Sequence, residues 1–194
     1  GMEEEDPIGF FDKLYGMARK QLRERKRLYK RPNTKQAISD LEENGWGLIP
    51  WNGNKRYNQI KYRAPKTKYQ KLMHEGMDGQ APDSLRRANH FKRTRKRFQL
   101  ILDWSLRKGT RNKSISDSLR KKLETKGLGT AKRTITPLHP DKPAPTIMTL
   151  PDDYIHYNEP RILTVRENAR LQGFPDWFSF RGNIQRTRCY WKFI

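Results

Sequence analysis

An α+β fold is predicted for this chain: helical over its N-terminal two-thirds, then a small irregular β-sheet, then one short capped helix. Three observations predict it. Apolar residues recur at helical spacing up to about residue 126, in segments closed by Gly109, Gly127 and Gly129. Two β-branched runs, Thr134-Ile135-Thr136 and Thr146-Ile147-Met148-Thr149, then alternate with turns at Pro137, Pro140, Pro143 and Pro145. Thr164 and Glu167 finally form a Thr-x-x-Glu capping pair ahead of a short periodic segment that Gly173 and Pro175 close.

In chain order, acidic residues ahead of Pro7 suit the positive end of a helix, and Phe11, Leu14, Tyr15, Ala18 and Leu22 give that helix one apolar stripe over residues 8–29. Its second half is crowded with Lys and Arg, equally suited to a partner, to phosphates or to solvent. Residues 34–41 read as a short helix with Thr34 as N-cap, and residues 45–58, with Gly, Asn, Pro50 and two Trp, read as loop. Residues 84–108 form the longest predicted helix after the first, burying Leu85, Phe91, Phe98, Ile101, Leu102 and Trp104 and presenting Lys92, Arg93, Arg95, Lys96 and Arg97 on its other face. Further helical spacing (Ile115, Leu119, Leu123) runs through residues 110–126. At the C-terminal end, Phe174, Trp177, Phe178 and Phe180 make an aromatic plug that calls for burial. Gly1 ahead of Met2 reads as a cloning remnant.

Charge narrows the class of partner. With 34% hydrophobic and 32% charged residues, a chain of 194 residues has a thin core. A net charge of +21 and a pI of about 10.3 are the footprint of a polyanion partner, nucleic acid first. No apolar run is long enough to span or anchor in a membrane. The single cysteine, Cys189, excludes an internal disulfide, fits a reducing, cytoplasmic setting and reads as a bystander in Arg-Cys-Tyr; no metal-ligand spacing stands out.

The order of residues in one stretch is more specific. Leu163, Thr164, Arg166, Glu167, Ala169, Arg170, Leu171, Gln172, Gly173, Phe174, Pro175, Asp176 and Phe178 together resemble motif IX of the DNA (cytosine-5) methyltransferases nearly position for position. In that family motif IX packs the target recognition domain onto the catalytic domain, which implies a scaffold role for Thr164, Arg166, Glu167, Arg170, Phe174 and Pro175. Upstream, Thr34 to Leu41 and Tyr69 to Met73 resemble segments that introduce the recognition domain, and Asn89-His90 resembles the Asn-His after them. His90 reads as a phosphate contact, a helix cap or, preferentially, a satisfied structural residue. Thr146-Ile147 resembles the dipeptide between the two DNA-facing loops. Gln21, Arg23 and Arg25 weakly resemble motif VIII, although the apolar strand that should follow is replaced by Lys-Arg-Leu-Tyr-Lys.

The resemblance divides the chain into a basic helical arm over 1–33, a target-recognition-like domain over 34–182 and an atypical tail over 183–194. Positive charge marks Arg93, Arg95, Lys96, Arg97, Lys132 and Arg133 as expected DNA contacts, and the resemblance adds Thr146 and Ile147 between the base-reading loops. The family's Phe-x-Gly-x-Gly loop, Pro-Cys nucleophile and Glu-Asn-Val acid are not in this sequence, nor is motif X after Gly182. Attack on cytosine needs a thiolate and a carboxyl group, so no catalytic residue is assigned and no cofactor is expected in this chain. S-adenosylmethionine is expected in a partner or full-length enzyme. The expected partners are double-stranded DNA and a catalytic methyltransferase chain, in a restriction-modification type of enzyme. The alternative is a DNA-binding remnant without catalysis.

Overall fold

Three of the helices among the described residues start from reciprocal side-chain caps, and short helices need them, because the first turn fixes several residues for one hydrogen bond. The computed structural model describes residues 31–43, 47–51, 54–147 and 153–180. Helix α1 (Thr34–Ile38) runs on into a 3-10 turn (Ser39–Leu41) and is capped by Asn33, whose Oδ1 accepts from Gln36 N at 2.7 Å while Gln36 Oε1 accepts from Asn33 N at 3.0 Å. The cap therefore falls one residue before the predicted Thr34. That residue is buried, and its Oγ1 donates to Lys142 O at 3.0 Å. Thr67 and Gln70 build the same box for α2 (Lys68–Met73).

Between these helices the predicted loop is instead an antiparallel hairpin, β1 (Leu48–Trp51) with β2 (Asn54–Ile60), Leu48 opposite Ile60 and Pro50 opposite Asn58. Proline is tolerated there because β1 is an edge strand with a bulge between Pro50 and Trp51. The far side of β2 is covered by residues 85–87: Ile60 N donates to Leu85 O at 3.1 Å and Arg87 N to Asn58 O at 2.9 Å. That pairing holds residues 84–91 outside the long helix, so α3 spans Lys92–Lys108 and starts at Phe91, 86% exposed rather than buried, with no side-chain cap. Gly109 ends it with φ +63°, a left-handed conformation that costs glycine little.

Helix α4 (Asp117–Thr125) starts at its cap Ser116 and is shorter than the predicted 110–126. It packs with α3 around Phe98, Ile101, Leu102, Ile115, Leu119, Leu123, Ile135 and Ile155, the main apolar core. Strand β3 (Thr136–Pro137) pairs in parallel with β4 (Tyr154–Ile155), Thr136 opposite Tyr154. Residues 146 and 147 belong to no strand, and 148–149 lie outside the described residues. Helix α5 (Val165–Leu171) completes the fold with the predicted Thr164–Glu167 capping box, and Gly173 leaves it at φ +85°. The architecture is α+β.

Two units divide the chain, residues 1–31 and 32–194, and every described residue except Arg31 is in the second. The predicted first helix, Gln21, Arg23 and Arg25 of the motif VIII-like stretch, and the 183–194 tail lie outside the described residues.

Leu123 is 1% exposed in the α3–α4 core. Leu123→Ala is expected to lower stability by about 2–5 kcal/mol in chemical denaturation, as cavity-forming Leu truncations do.

Candidate functional site

Helix α5 carries two arginines, four residues apart on one helical face, and both side chains are fully buried. Arg170 uses its whole guanidinium fork. Nε and Nη2 donate to the two oxygens of Asp176, each at 2.6 Å, while Nη1 and Nη2 reach the two oxygens of Asp40 at 3.0 and 3.1 Å. The remaining donor goes to Ala37 O at 3.2 Å. One cation thus joins α1, α5 and the chain beyond α5. Burial by itself works against that charge, but Asp176 and Asp40 outweigh it and hold the guanidinium protonated. His74 Nδ1 stands 2.8 Å from Asp176 Oδ2, and Asp176 N donates to Met73 O, so α2 joins the same knot. Tyr69 adds a hydrogen bond from its hydroxyl to Arg170 O, and burial pushes that hydroxyl up to about 12.

Arg166 clamps different partners. It donates to Asp83 O, Pro175 O and Phe178 O, pairs with the Asp83 carboxylate and lies 5.2 Å over the Phe180 ring. A third buried arginine, Arg161, makes a bidentate pair with Glu167 at 2.8 Å on each arm and also holds Glu159. Burial would raise the Glu167 carboxyl, but Arg161 overrides it and holds it below the ordinary value. The ionised Glu167 then accepts from Thr164 N at 2.7 Å, so the same ion pair reinforces the helix cap. Glu167 is the capping partner of Thr164 and the ion pair of Arg161; Arg170 pairs with Asp40 and Asp176 instead. His156, completely buried, stacks on Tyr157 with centroids 4.3 Å apart and has Nε2 3.6 Å from Glu167 Oε1. Burial first, and the Arg161 charge second, push its imidazole down to about 3.

The aromatic residues after α5 cluster without being enclosed. Phe174, Phe178 and Phe180 sit 5.1–5.8 Å apart and are half-buried, with Trp177 61% exposed at their edge. The expected burial of Trp177 is therefore corrected: the turn at Asp176, fixed by Arg170, turns Phe178 inward and leaves Trp177 outside. Pro175 is half-buried and gives its carbonyl to Arg166.

The outward basic residues are sorted by the fold into two kinds. Arg97 is half-buried and its fork takes Leu128 O at 2.6 Å and Gly129 O at 2.7 Å, while Arg93 Nε takes Gly127 O at 2.8 Å. These two staple α3 to the turn after α4. Arg95 and Lys96 are exposed on α3. Lys92, Arg93, Lys96 and Arg107 of α3 line one open groove with Lys122 and Lys126 at the far side. Sequence reasoning missed Arg107, Lys122 and Lys126; the signal was the four-residue spacing of 92 and 96, and of 122 and 126, on facing helices. Elsewhere, Lys132 pairs with Asp153 at 2.9 Å and Tyr154 donates to Thr146 O at 2.6 Å, so adjacent residues tether both. Arg133 is exposed with its carbonyl bonded by Arg120, Thr146 is exposed, and Ile147 is half-buried.

The result is a basic α+β unit, rigidified by buried arginines near its C-terminal end, with six cations lining the groove between α3 and α4. The family model of C-5 cytosine-specific DNA methylases matches residues 11–190, and the chain belongs to that family. It is 43% identical over 65 residues to DNA (cytosine-5)-methyltransferase CMT2 of Arabidopsis thaliana, a match covering 31% of this chain and 5% of the relative. It is 28% identical over 141 residues to Type II methyltransferase M.BbvI of Brevibacillus brevis, covering 70% of this chain and 37% of that enzyme. The chain thus spans well under half the length of these curated relatives.

Two outcomes test the geometry. Arg170→Lys keeps a charge but loses the fork, and is expected to lower the melting temperature by several degrees, whereas Trp177→Ala is expected to shift it little. The second outcome concerns pH. The His156 imidazole is depressed from 6.5 to about 3 on folding. As pH falls below 6.5 the unfolded chain binds a proton that the folded chain refuses, so stability drops by up to about 1.4 kcal/mol per pH unit. Glu167, depressed below 4.5, adds to that loss only at lower pH. His156→Asn is expected to flatten the stability profile between about pH 6.5 and 5 in urea titrations.

Proposed function

We propose that this chain is the target-recognition part of a cytosine-5 DNA methyltransferase, of the restriction-modification type. On this reading it grips duplex DNA, while methyl transfer depends on a further segment or partner chain that holds S-adenosylmethionine and the cysteine nucleophile. The observation that carries the reading is the family match over residues 11–190, joined to a sequence that holds neither a Pro-Cys pair nor the Gly-rich loop. No residue here is assigned to catalysis. In this reading Arg161, Arg166 and Arg170 are scaffold: their charge is consumed inside the protein, and they fix the end of α5 against α1, α2 and residues 83–87. Arg95, Lys96 and the Lys132–Arg133 turn supply phosphate contacts that set register, and the exposed Thr146 loop lies where base edges are read.

Chemistry at cytosine then runs in the complementary part, with the base flipped out of the stack. Here Thr146 and Ile147 act on the DNA and not on the reacting ring, so their replacement alters target preference rather than the methyl-transfer step.

Fluorescence anisotropy on the full chain with a generic duplex tests this. If about six phosphates are contacted, affinity is expected to fall about a thousandfold between about 50 and 200 mM salt. No binding at low salt, or a flat salt response, overturns the assignment. Calorimetry is expected to show no S-adenosylmethionine binding, and methylation is expected only on adding a chain that carries the missing motifs.

A further inference from the structure

Helices α3 and α4 face each other across an open groove. Two half-buried apolar side chains, Leu100 and Leu128, are set into its lining, and six cations and one carboxylate share it. The groove is preformed, because Arg93 and Arg97 bond the carbonyls of residues 127–129 and fix the turn after α4 against α3. The carboxylate, Asp103, accepts from Gln99 Nε2 at 2.9 Å. Among the described residues, none of Lys92, Lys96, Arg107, Lys122 and Lys126 forms an ion pair with a carboxylate. Lys122 lies 4.6 Å over the Trp104 ring, which orients its stem without neutralising the ammonium.

We propose that this groove is a sequence-independent seat for the sugar-phosphate backbone of duplex DNA, distinct from the loops that read bases. The inference rests on the DNA-binding role given above. The charge is present in the form the backbone requires. Lysines are flexible point charges suited to phosphates, and only Arg107 among these five carries a fork for base edges. From Lys92 to Arg107 the helix rises about 22 Å, at 1.5 Å per residue. The same face is poorly made for a protein partner: lysine is depleted at interface cores, and burying several unpaired ammonium groups is costly. On DNA each ammonium instead releases a condensed counterion, which is the favourable term.

The test compares two triple variants of the full chain, each removing three positive charges from exposed or half-exposed positions. The groove variant is Lys96→Gln, Arg107→Gln, Lys122→Gln; the control is Lys68→Gln, Lys71→Gln, Lys113→Gln. Glutamine keeps helix propensity close to that of lysine and arginine, and matched melting curves verify the fold. With a generic 24-bp duplex as probe (a length of about two helical turns, chosen for the assay), the groove variant is expected to flatten the slope of log K against log salt by about 2.7, about 0.9 per lost phosphate contact. The control is expected to leave that slope within about one contact of the parent. Equal flattening in both variants, or an unchanged slope in the groove variant, overturns the seat while leaving DNA binding intact. Preference for an RNA duplex of the same length, lost with the same three side chains, overturns DNA as the occupant. A parent chain with no affinity for either overturns the DNA-binding role itself.

Discussion

One guanidinium ties α1, α2 and α5 of the described fold together. Arg170 offers five N–H donors, and five acceptors meet them: four carboxylate contacts from Asp40 and Asp176 and the carbonyl of Ala37. A buried cation costs several kcal/mol in lost hydration, and only near-complete pairing offsets that. Because the pairing is complete, the three segments it joins cannot shift independently. Moving α1 or the turn at Asp176 by one ångström would strand a buried charge, a loss far larger than that of a surface salt bridge. Asp176 extends the constraint to α2 through His74 and Met73.

The interaction also shows what fixes the relative placement of segments in a chain with 34% hydrophobic residues. The apolar core around α3 and α4 is modest, and the region around α1, α2 and α5 relies on ion pairs and caps between buried groups. Arg161, Arg166 and Arg170, with Arg111 bonding the carbonyls of Leu102, Leu138 and Tyr157, take positive charge inward. Arg161, Arg166 and Arg170 pair with Asp40, Asp83, Glu159, Glu167 and Asp176. Their burial takes basic side chains away from a partner without lowering the net positive excess outside, and six of the remaining cations line the groove between α3 and α4.

How much of this was legible follows from range. The Thr164 cap, the Gly173 stop, the Gly109 stop and the helical phase of Phe98, Ile101 and Leu102 are local, and all are read from neighbours within one turn. The β1–β2 hairpin was missed because Pro50, Trp51 and the intervening asparagines are loop residues by composition, and an edge strand tolerates them. The start of α3 was misplaced because residues 84–91 are recruited by β2, a tertiary demand that helical spacing cannot reveal. Asp40 gave no warning at all: its meeting with Arg170 joins residues 130 positions apart in the chain. The candidate site was legible in residue type, not in allocation. Arg93, Lys96 and Arg97 look equivalent in sequence, yet the carbonyls of 127–129 turn two of them into staples.

That allocation has a physical consequence for how the protein meets a polyanion. Interactions between buried ions are weakly screened, because neither water nor salt enters between them, whereas exposed charges lose most of their mutual influence beyond about 8 Å at physiological ionic strength. Salt thus acts on the α3–α4 face and hardly on the Arg170 knot. A phosphate backbone seated on that face, as proposed above, would be released and regained as counterions compete for it, while the joints among α1, α2 and α5 stay fixed. A chain that had placed its motif IX arginines outside would have had a stronger field and a weaker frame. Here the charge is divided so that rigidity is insensitive to ionic strength and attraction is governed by it.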